Sequence, residues 1–128
     1  MTQPRSFLAE SSVCIYHGDC PDGFTAAWVV SRSVPGVRLL AGVHGEPPAF
    51  DECVGKDVII VDFSYKRPVL LELASVARSV LVLDHHKSAE ADLQGIESEA
   101  DNVVVVFDME RSGAMIAHQY FRPADPVP

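Results

Sequence analysis

Asp84-His85-His86 stands directly behind the apolar run Val80-Leu-Val-Leu. An acid followed by two histidines is a set of residue types that holds divalent metals. Four apolar residues in a row fit a strand covered on both faces. Such a strand delivers the residues behind it to the carboxyl edge of a parallel sheet, where open α/β folds bind ligands. Three other runs end the same way. Ser12-Val-Cys-Ile-Tyr16 leads into His17, Asp19 and Asp22; Val58-Ile-Ile-Val61 leads into Asp62; Asn102 to Phe107 leads into Asp108, with Arg111 and Ser112 just beyond. Parallel strands would bring these ends into one cleft. Carboxylates gathered there repel one another and need cations to stay ionised. Mixed Asp and His ligands suit Mn²⁺, Co²⁺, Fe²⁺ or Zn²⁺ better than Ca²⁺ or Mg²⁺. Two such ions about 3.5–4 Å apart hold a nucleophilic water and a scissile phosphate together. The last helix would add its N-terminus, Ser112 and Arg111 as phosphate binders.

Each residue alone has a plainer reading. Asp19 and Asp22 can cap the helix behind them, Asp62 can be a turn acid, a His-His pair can be a solvated loop, and Ser112 is a natural N-cap. His44 and His118 have no partner in the pattern and read as surface or packing residues. Cys20 has no base or cationic neighbour to make it a nucleophile. Jointly the plain readings fail, because four strands end in such clusters while the second ends in Gly42-Val43.

The elements that must position these residues are marked by the punctuation of the chain. Residues 1–11 are polar and read as a loose N-terminus. A helix is expected from about Gly23 to Ser33, with Phe24, Ala27, Trp28 and Val30 facing a core, stopped by Pro35-Gly36. Val37 to Val43 reads as the second strand. Asp57 to Phe63 holds the third, and Pro68 opens a helix that runs to about Arg78. Val80 to Leu83 is the fourth strand, Lys87 to Leu93 a short helix, Gly95 to Asp101 a polar loop, and Asn102 to Phe107 the fifth strand. Ser112 to Phe121 is the last helix, with Met115, Ile116 and Tyr120 or Phe121 on one face. This alternation means an α/β fold, a parallel sheet with helices on both faces; strand order does not follow from periodicity. One domain is expected over residues 12–122, and residues 123–128 form a proline-rich tail that looks like a linker or a cut end.

Composition bounds the function. The chain has 128 residues, 48% hydrophobic and 22% charged, enough for one domain. Its 18 acids against 10 bases give a formal charge of -8. A chain this acidic has no general attraction to polyanions, so phosphate would have to be met by a local device such as bound cations. Cys14, Cys20 and Cys53 are few and irregularly spaced, which points to a reducing, cytoplasmic setting rather than a disulfide framework. Neither a signal peptide nor an apolar run long enough for a membrane span is visible.

With those residues in hand, the chain resembles the amino-terminal part of the DHH phosphoesterase superfamily. The family's first motif, usually His-x-Asp-x-Asp-Gly, stands here as His17-Gly-Asp19-Cys-Pro-Asp22-Gly23, one residue longer. The second is the acid after a strand in Val61-Asp62-Phe63-Ser64. The third is Asp84-His85-His86, and Arg111-Ser112-Gly113-Ala114 fits the start of a family helix. The match covers about residues 12 to 122. It implies a five-stranded parallel sheet between helices and a metal-dependent hydrolysis, with Mn²⁺ typical and Mg²⁺ or Co²⁺ as alternatives. By motif, His17 and Asp19 would hold one metal, Asp22 and His85 the second, and Asp62 would bridge. Asp84 would orient the histidine pair, and His86 would contact the phosphate and stabilise or protonate the leaving group. Family members carry a further metal-ligating Asp and a second, carboxy-terminal domain, and this sequence stops at Pro128 before either. The expectation is a partial domain with an incomplete second metal site, whether a fragment, a split gene product or a reduced relative, and with a homodimer or a missing carboxy-terminal partner segment as its expected partner.

The leading reading is therefore a metal-dependent phosphoesterase acting on a phosphodiester or phosphoanhydride. Short oligonucleotides, a cyclic dinucleotide, a nucleotide phosphate and polyphosphate are the candidate substrates, and a long nucleic-acid footprint is disfavoured by the acidic surface. The alternative is a catalytically inactive metal- or nucleotide-binding module acting with a partner chain. A dinucleotide-binding Rossmann domain is weaker, since no GxGxxG stands after the first strand.

Overall fold

Four of the apolar runs become strands because they carry β-branched residues and are cut off by turn formers or charged residues, whereas the second strand, Arg38–Gly42, has none and lies at the sheet edge. A computed structural model of the chain describes residues 12–18, 21–34, 36–43, 45–108 and 110–121. The strands are β1 (Ser12–His17), β2 (Arg38–Gly42), β3 (Asp57–Val61), β4 (Ser79–Asp84) and β5 (Val103–Phe107). All pair in parallel, in the order β2-β1-β3-β4-β5. Between them lie α1 (Pro21–Ser33), α2 (Phe50–Cys53), α3 (Arg67–Val76) and α4 (Lys87–Leu93), and α5 (Gly113–Phe121) follows the last strand. A single 3₁₀ turn, Ile96–Ser98, interrupts the expected polar loop.

This is the expected parallel α/β architecture, and both faces of the sheet are covered. On one face Val58, Ile60, Val80 and Val82 pack with Leu70 and Leu73 of α3, Leu93 and Ile96. On the other, Ile59, Val61, Leu81 and Leu83 pack with Ala26, Ala27 and Val30 of α1 and Ile116 and Ala117 of α5. The residues Val58 to Val61 are completely shielded. Burying each such side chain contributes about 1.5–3 kcal/mol, which anchors the strand that carries Asp62.

The strand order places a switch point between β1 and β3. The chain leaves β1 outward to β2, then returns to the other side of β1. Connections diverge there and leave a crevice outside the carboxyl ends, the usual ligand position in an open α/β sheet.

Several elements differ in detail from expectation. Helix α1 begins at Pro21, two residues early, because proline is tolerated where helix amides have no partner anyway. Its buried face is Gly23, Ala26, Ala27, Val29 and Val30. Phe24 and Trp28, expected in the core, are 64% and 49% exposed. Small residues let α1 lie close to β1 and α5, and the large rings are turned outward. There Trp28 carries the Arg32 guanidinium 5.0 Å from its ring centre, and Phe24 stands edge-on to Tyr16. His118 is buried, in keeping with a packing role. Cys14 and Cys53 are free and buried. Among the described residues no helix is long and apolar enough to cross a membrane. Cys20, His44, the N-terminal segment 1–11 and the tail 123–128 lie outside the described residues.

Candidate metal centre

Asp62 comes directly after the last residue of β3, the central strand. Its backbone adopts φ 67°, the left-handed region. Aspartate enters it more readily than most residues, at a cost on the order of 1 kcal/mol. The turn leaves the Asp62 amide bonded to the Leu83 carbonyl at 2.9 Å, so the bend is pinned to β4. Its side chain is 1% exposed. One carboxylate oxygen, Oδ1, lies 2.7 Å from His85 Nε2. The other, Oδ2, lies 3.9 Å from His17 Nδ1. Asp22 joins from the first turn of α1, with Oδ2 3.8 Å from His85 Nε2. Asp22, Asp62 and His85 each offer a ligand atom within 4.8 Å of the other two.

Gly23 explains why Asp22 can reach. A Cβ at this position would sit 2.5 Å from the His17 carbonyl oxygen and 2.9 Å from the His17 Cβ. Only glycine lets the start of α1 press against the end of β1, and that contact brings Asp22 to the crevice. Gly42 has a matching role at the next strand end, where a Cβ would meet the Phe63 ring at 2.5 Å.

Asp84 is fully buried at the end of β4. Its Oδ1 accepts from the His85 amide at 2.7 Å and faces His86 Nδ1 at 2.7 Å. One oxygen thus holds both residues behind it. With Nδ1 turned inward, His86 has Nε2 left for the cleft it lines together with His17, Phe63 and Lys66.

The donor set fits a divalent cation. Ligands about 2.0–2.2 Å from an ion stand roughly 3–3.5 Å from each other, a range that the observed 2.7 and 3.8 Å bracket. His17 Nδ1 is buried and makes no hydrogen bond, although it faces a carboxylate. A buried nitrogen lone pair or N–H left so is costly, and a cation between it and Asp62 would remove the cost.

The structure therefore brings together His17, Asp22, Asp62 and His85, with Asp84 and His86 beside them. Asp19 lies outside the described residues. Arg111 and Ser112 reach the same sheet edge through Asp108, whose amide donates to the Asp84 carbonyl at 3.2 Å. Each has a local partner: Arg111 Nε pairs with Asp108 at 3.3 Å, and Ser112 Oγ accepts from the Met115 amide at 3.2 Å, capping α5. Phe63, Ser64, Tyr65 and Lys66, which the strand-end pattern does not single out, line the cleft beside His17 and His86. The signal for them is the unbroken run after Asp62, where the residues next to a strand-end acid must border whatever the acid binds.

No family model matches the chain. It is similar to an uncharacterized protein of Acanthamoeba polyphaga mimivirus, 34% identical over 131 aligned residues that cover 91% of this chain. The chain spans about 30% of the length of that curated relative.

Proposed function

We propose that this chain is a metal-dependent phosphoesterase domain of the DHH type, acting on a phosphodiester or phosphoanhydride. The observation that carries the reading is Asp62, a buried carboxylate at the switch point with one oxygen toward His85 and the other toward His17. That is the disposition a carboxylate needs to bridge two ions. His17 and Asp62 would hold one cation and Asp22, Asp62 and His85 the other, with Asp19 as a further proposed ligand and Mn²⁺ as the proposed metal. Bound there, the cations supply charge neutralisation for the phosphoryl oxygens and a water acidified toward hydroxide.

The protein's own groups do the rest. Asp84 fixes the His86 ring through Nδ1, so that Nε2 is presented to a leaving-group oxygen, where it donates a hydrogen bond or a proton. Lys66 borders the cleft and offsets phosphate charge. Arg111, exchanging Asp108 for substrate, and the capped N-terminus of α5 take an outer phosphate oxygen.

The test is hydrolysis of bis-p-nitrophenyl phosphate by the 128-residue chain with and without Mn²⁺, beside Asp62→Asn. Activity that needs both is the expected result. A folded chain that binds no Mn²⁺ and hydrolyses nothing would sink the proposal.

A further inference from the structure

Helix α4 follows His86 directly, and His86 is its N-cap, with a carbonyl that accepts from the Ala89 and Glu90 amides at 3.1 Å. At seven residues the helix is too short to hold itself. Lys87 and Ser88 are exposed, and Leu93 is its buried side chain. The attitude of α4 is therefore set at its two ends, and Arg67 holds the far one. Arg67 Nε donates to the Asp92 carbonyl at 3.0 Å, Nη2 donates to the Gln94 carbonyl, and Nη1 pairs with Glu99. The exchange is mutual. The Arg67 amide, first in α3, donates to Asp92 Oδ2 at 2.8 Å. Lys66, the N-cap of α3, makes no side-chain cap bond, so Asp92 does that task from α4. We propose that Arg67 is a positioning residue for the site: by tying the end of α4 to the start of α3, it holds the His86 imidazole in the attitude that a leaving group needs. The consequence for turnover rests on the phosphoesterase reading above; the clamp does not.

Three observations favour a clamp that acts on the site. The first is its place. The chain runs from Asp62 through Phe63 and Lys66 to Arg67, and from His86 through Ala89 to Asp92, and both stretches wall the cleft of about 310 Å³. The contact of Asp62 with His85 at 2.7 Å joins the two stretches at one end, and Arg67 with Asp92 joins them at the other. The second is the freedom left to His86. Asp84 Oδ1 meets its Nδ1 at 2.7 Å, but the side chain is 48% exposed. That bond is a pivot, and the direction of Nε2 follows the backbone that continues into α4. The third is the chemistry of the guanidinium. Three of its donors reach two carbonyls at the end of α4 and a carboxylate beyond it, where the helix has its negative pole. A lysine ammonium is a point charge on a flexible stem and does not span such a set. Arg67 itself does not line the cleft, so its effect passes through α4.

The test is Arg67→Lys in the full chain, with two phosphodiesters that differ in leaving group, bis-p-nitrophenyl phosphate and diphenyl phosphate. Phenolate leaves less readily than p-nitrophenolate and depends more on a proton or hydrogen bond from His86. Mn²⁺ affinity and KM should stay within about twofold. The kcat should fall about tenfold or more on diphenyl phosphate and less than about threefold on the nitrophenyl ester. A purely structural role would lower both rates by the same factor, and that result would overturn the proposal. Metal-free NMR of the ring nitrogens separates this inference from the phosphoesterase reading. Arg67→Lys should shift or broaden the His86 ring signals and leave those of buried His118 in place. Unmoved His86 signals would overturn the proposal whatever the rates. Moved signals, with no Mn²⁺-dependent hydrolysis by the unaltered chain, would leave the clamp standing and the catalytic reading fallen. Should Arg67→Lys not fold, Glu99→Gln removes one anchor of the guanidinium at a half-exposed position. It should move the same signals and the same rates in the same direction by less, and no movement there would equally overturn the clamp.

Discussion

Strand β3 begins at one buried aspartate and runs directly into another, and the two have opposite surroundings. Asp57, at the amino edge, is fully shielded and enclosed by donors. Arg78 reaches it with Nε at 3.0 Å and with Nη2 on the other oxygen, and Ser79 Oγ donates at 2.6 Å. The pairing in turn holds the Arg78 guanidinium above its ordinary pKa, through the hydrogen bond first and the charge of Asp57 second. Asp62, at the carboxyl edge, is equally shielded but faces imidazoles and a second carboxylate, on a backbone bent to positive φ. A buried charge is tolerated when it is paired. Asp57 has its pairing built in, and Asp62 has ligand types arranged around the place where a cation would go. The same residue type thus sits in a closed ion pair at one edge of the sheet and among metal-ligand types at the other, and the parallel sheet decides which edge is which.

The largest expected effect is a double dissociation between the two acids. Asp62→Asn should lower Mn²⁺-dependent activity at least about a hundredfold, since even partners that only orient metal ligands are worth about 10–100-fold. Its metal-free thermal stability should stay the same or rise, because asparagine tolerates positive φ and one repelling charge is gone. Asp57→Asn should do the opposite: full activity per folded molecule, with a loss of about 1–3 kcal/mol for donors left poorly paired. Urea melts beside initial rates would show it. Equal stability losses in both variants would erase the distinction. Saturating Mn²⁺ sharpens it further: about 2.7 kcal/mol of added stability at a hundred times Kd in the unaltered chain and in Asp57→Asn, and far less in Asp62→Asn.

A third kind of buried ionisable group stays uncharged. Burial pushes the Cys14 thiol up to about 12 from 9.0. Burial, followed by the nearby Cys53, pushes the Tyr65 phenol up to about 12 from 10.0. Both folded values lie above the unfolded ones. The stability they represent is therefore complete below about pH 9 and lost as pH rises toward 12, on the order of a few kcal/mol in all. Alkaline unfolding followed by circular dichroism should show this decline, and Cys14→Ala should flatten its onset. A flat profile across that window would mean that these groups are more hydrated than their burial indicates.

Gly23→Ala tests the approach that delivers Asp22 to Asp62. A Cβ only 2.5 Å from the His17 carbonyl forces α1 away from β1. Overpacking of this kind costs about 1–3 kcal/mol. Mn²⁺ affinity should fall with it, while the Asp57 pairing at the far edge is untouched. A variant that melts lower yet binds Mn²⁺ normally would show that Asp22 is not a ligand.

Much of this is readable in the chain, and the exceptions have physical causes. Four apolar runs bounded by acids and turn formers mark the strands and their carboxyl ends, so the gathering of His17, Asp22, Asp62 and His85 comes from parallel pairing alone. Size is a poor guide to the buried face of α1. Phe24 and Trp28 are large, but the helix lies too close to β1 and α5 for them, and Gly23, Ala26 and Ala27 fill the contact. Helix α2 spans Phe50–Cys53, too short to show a period. Strand order depends on which edges meet, and periodicity within one strand carries no record of that. Nor does any local pattern announce that Asp62 takes positive φ. Gly42-Val43 reads as the plain strand end, yet Gly42 makes room for the Phe63 ring, because a missing side chain can itself position a neighbour.

The smallest expected effect concerns an exposed acid–arginine pair at the carboxyl edge, to be set against the buried one at Asp57. Arg111 and Asp108 meet at 3.3 Å with side chains 46% and 32% exposed. A pair so hydrated contributes between nothing and about 1 kcal/mol, so Arg111→Ala should leave stability within about 0.5 kcal/mol. If Arg111 leaves Asp108 to take a phosphate oxygen, it binds ground state and transition state alike. Its loss should then raise KM a few-fold and leave kcat nearly unchanged. Asp108→Asn supplies the converse, because a guanidinium no longer engaged by a carboxylate meets phosphate at lower cost and KM should fall. Steady-state rates on one phosphodiester, with both variants measured in low and moderate salt, separate the cases. Opposite movements of KM that shrink as salt rises would mark an exchangeable pair at the site. Identical KM values in both variants would place Arg111 with Arg78, as a cation spent on its own neighbour.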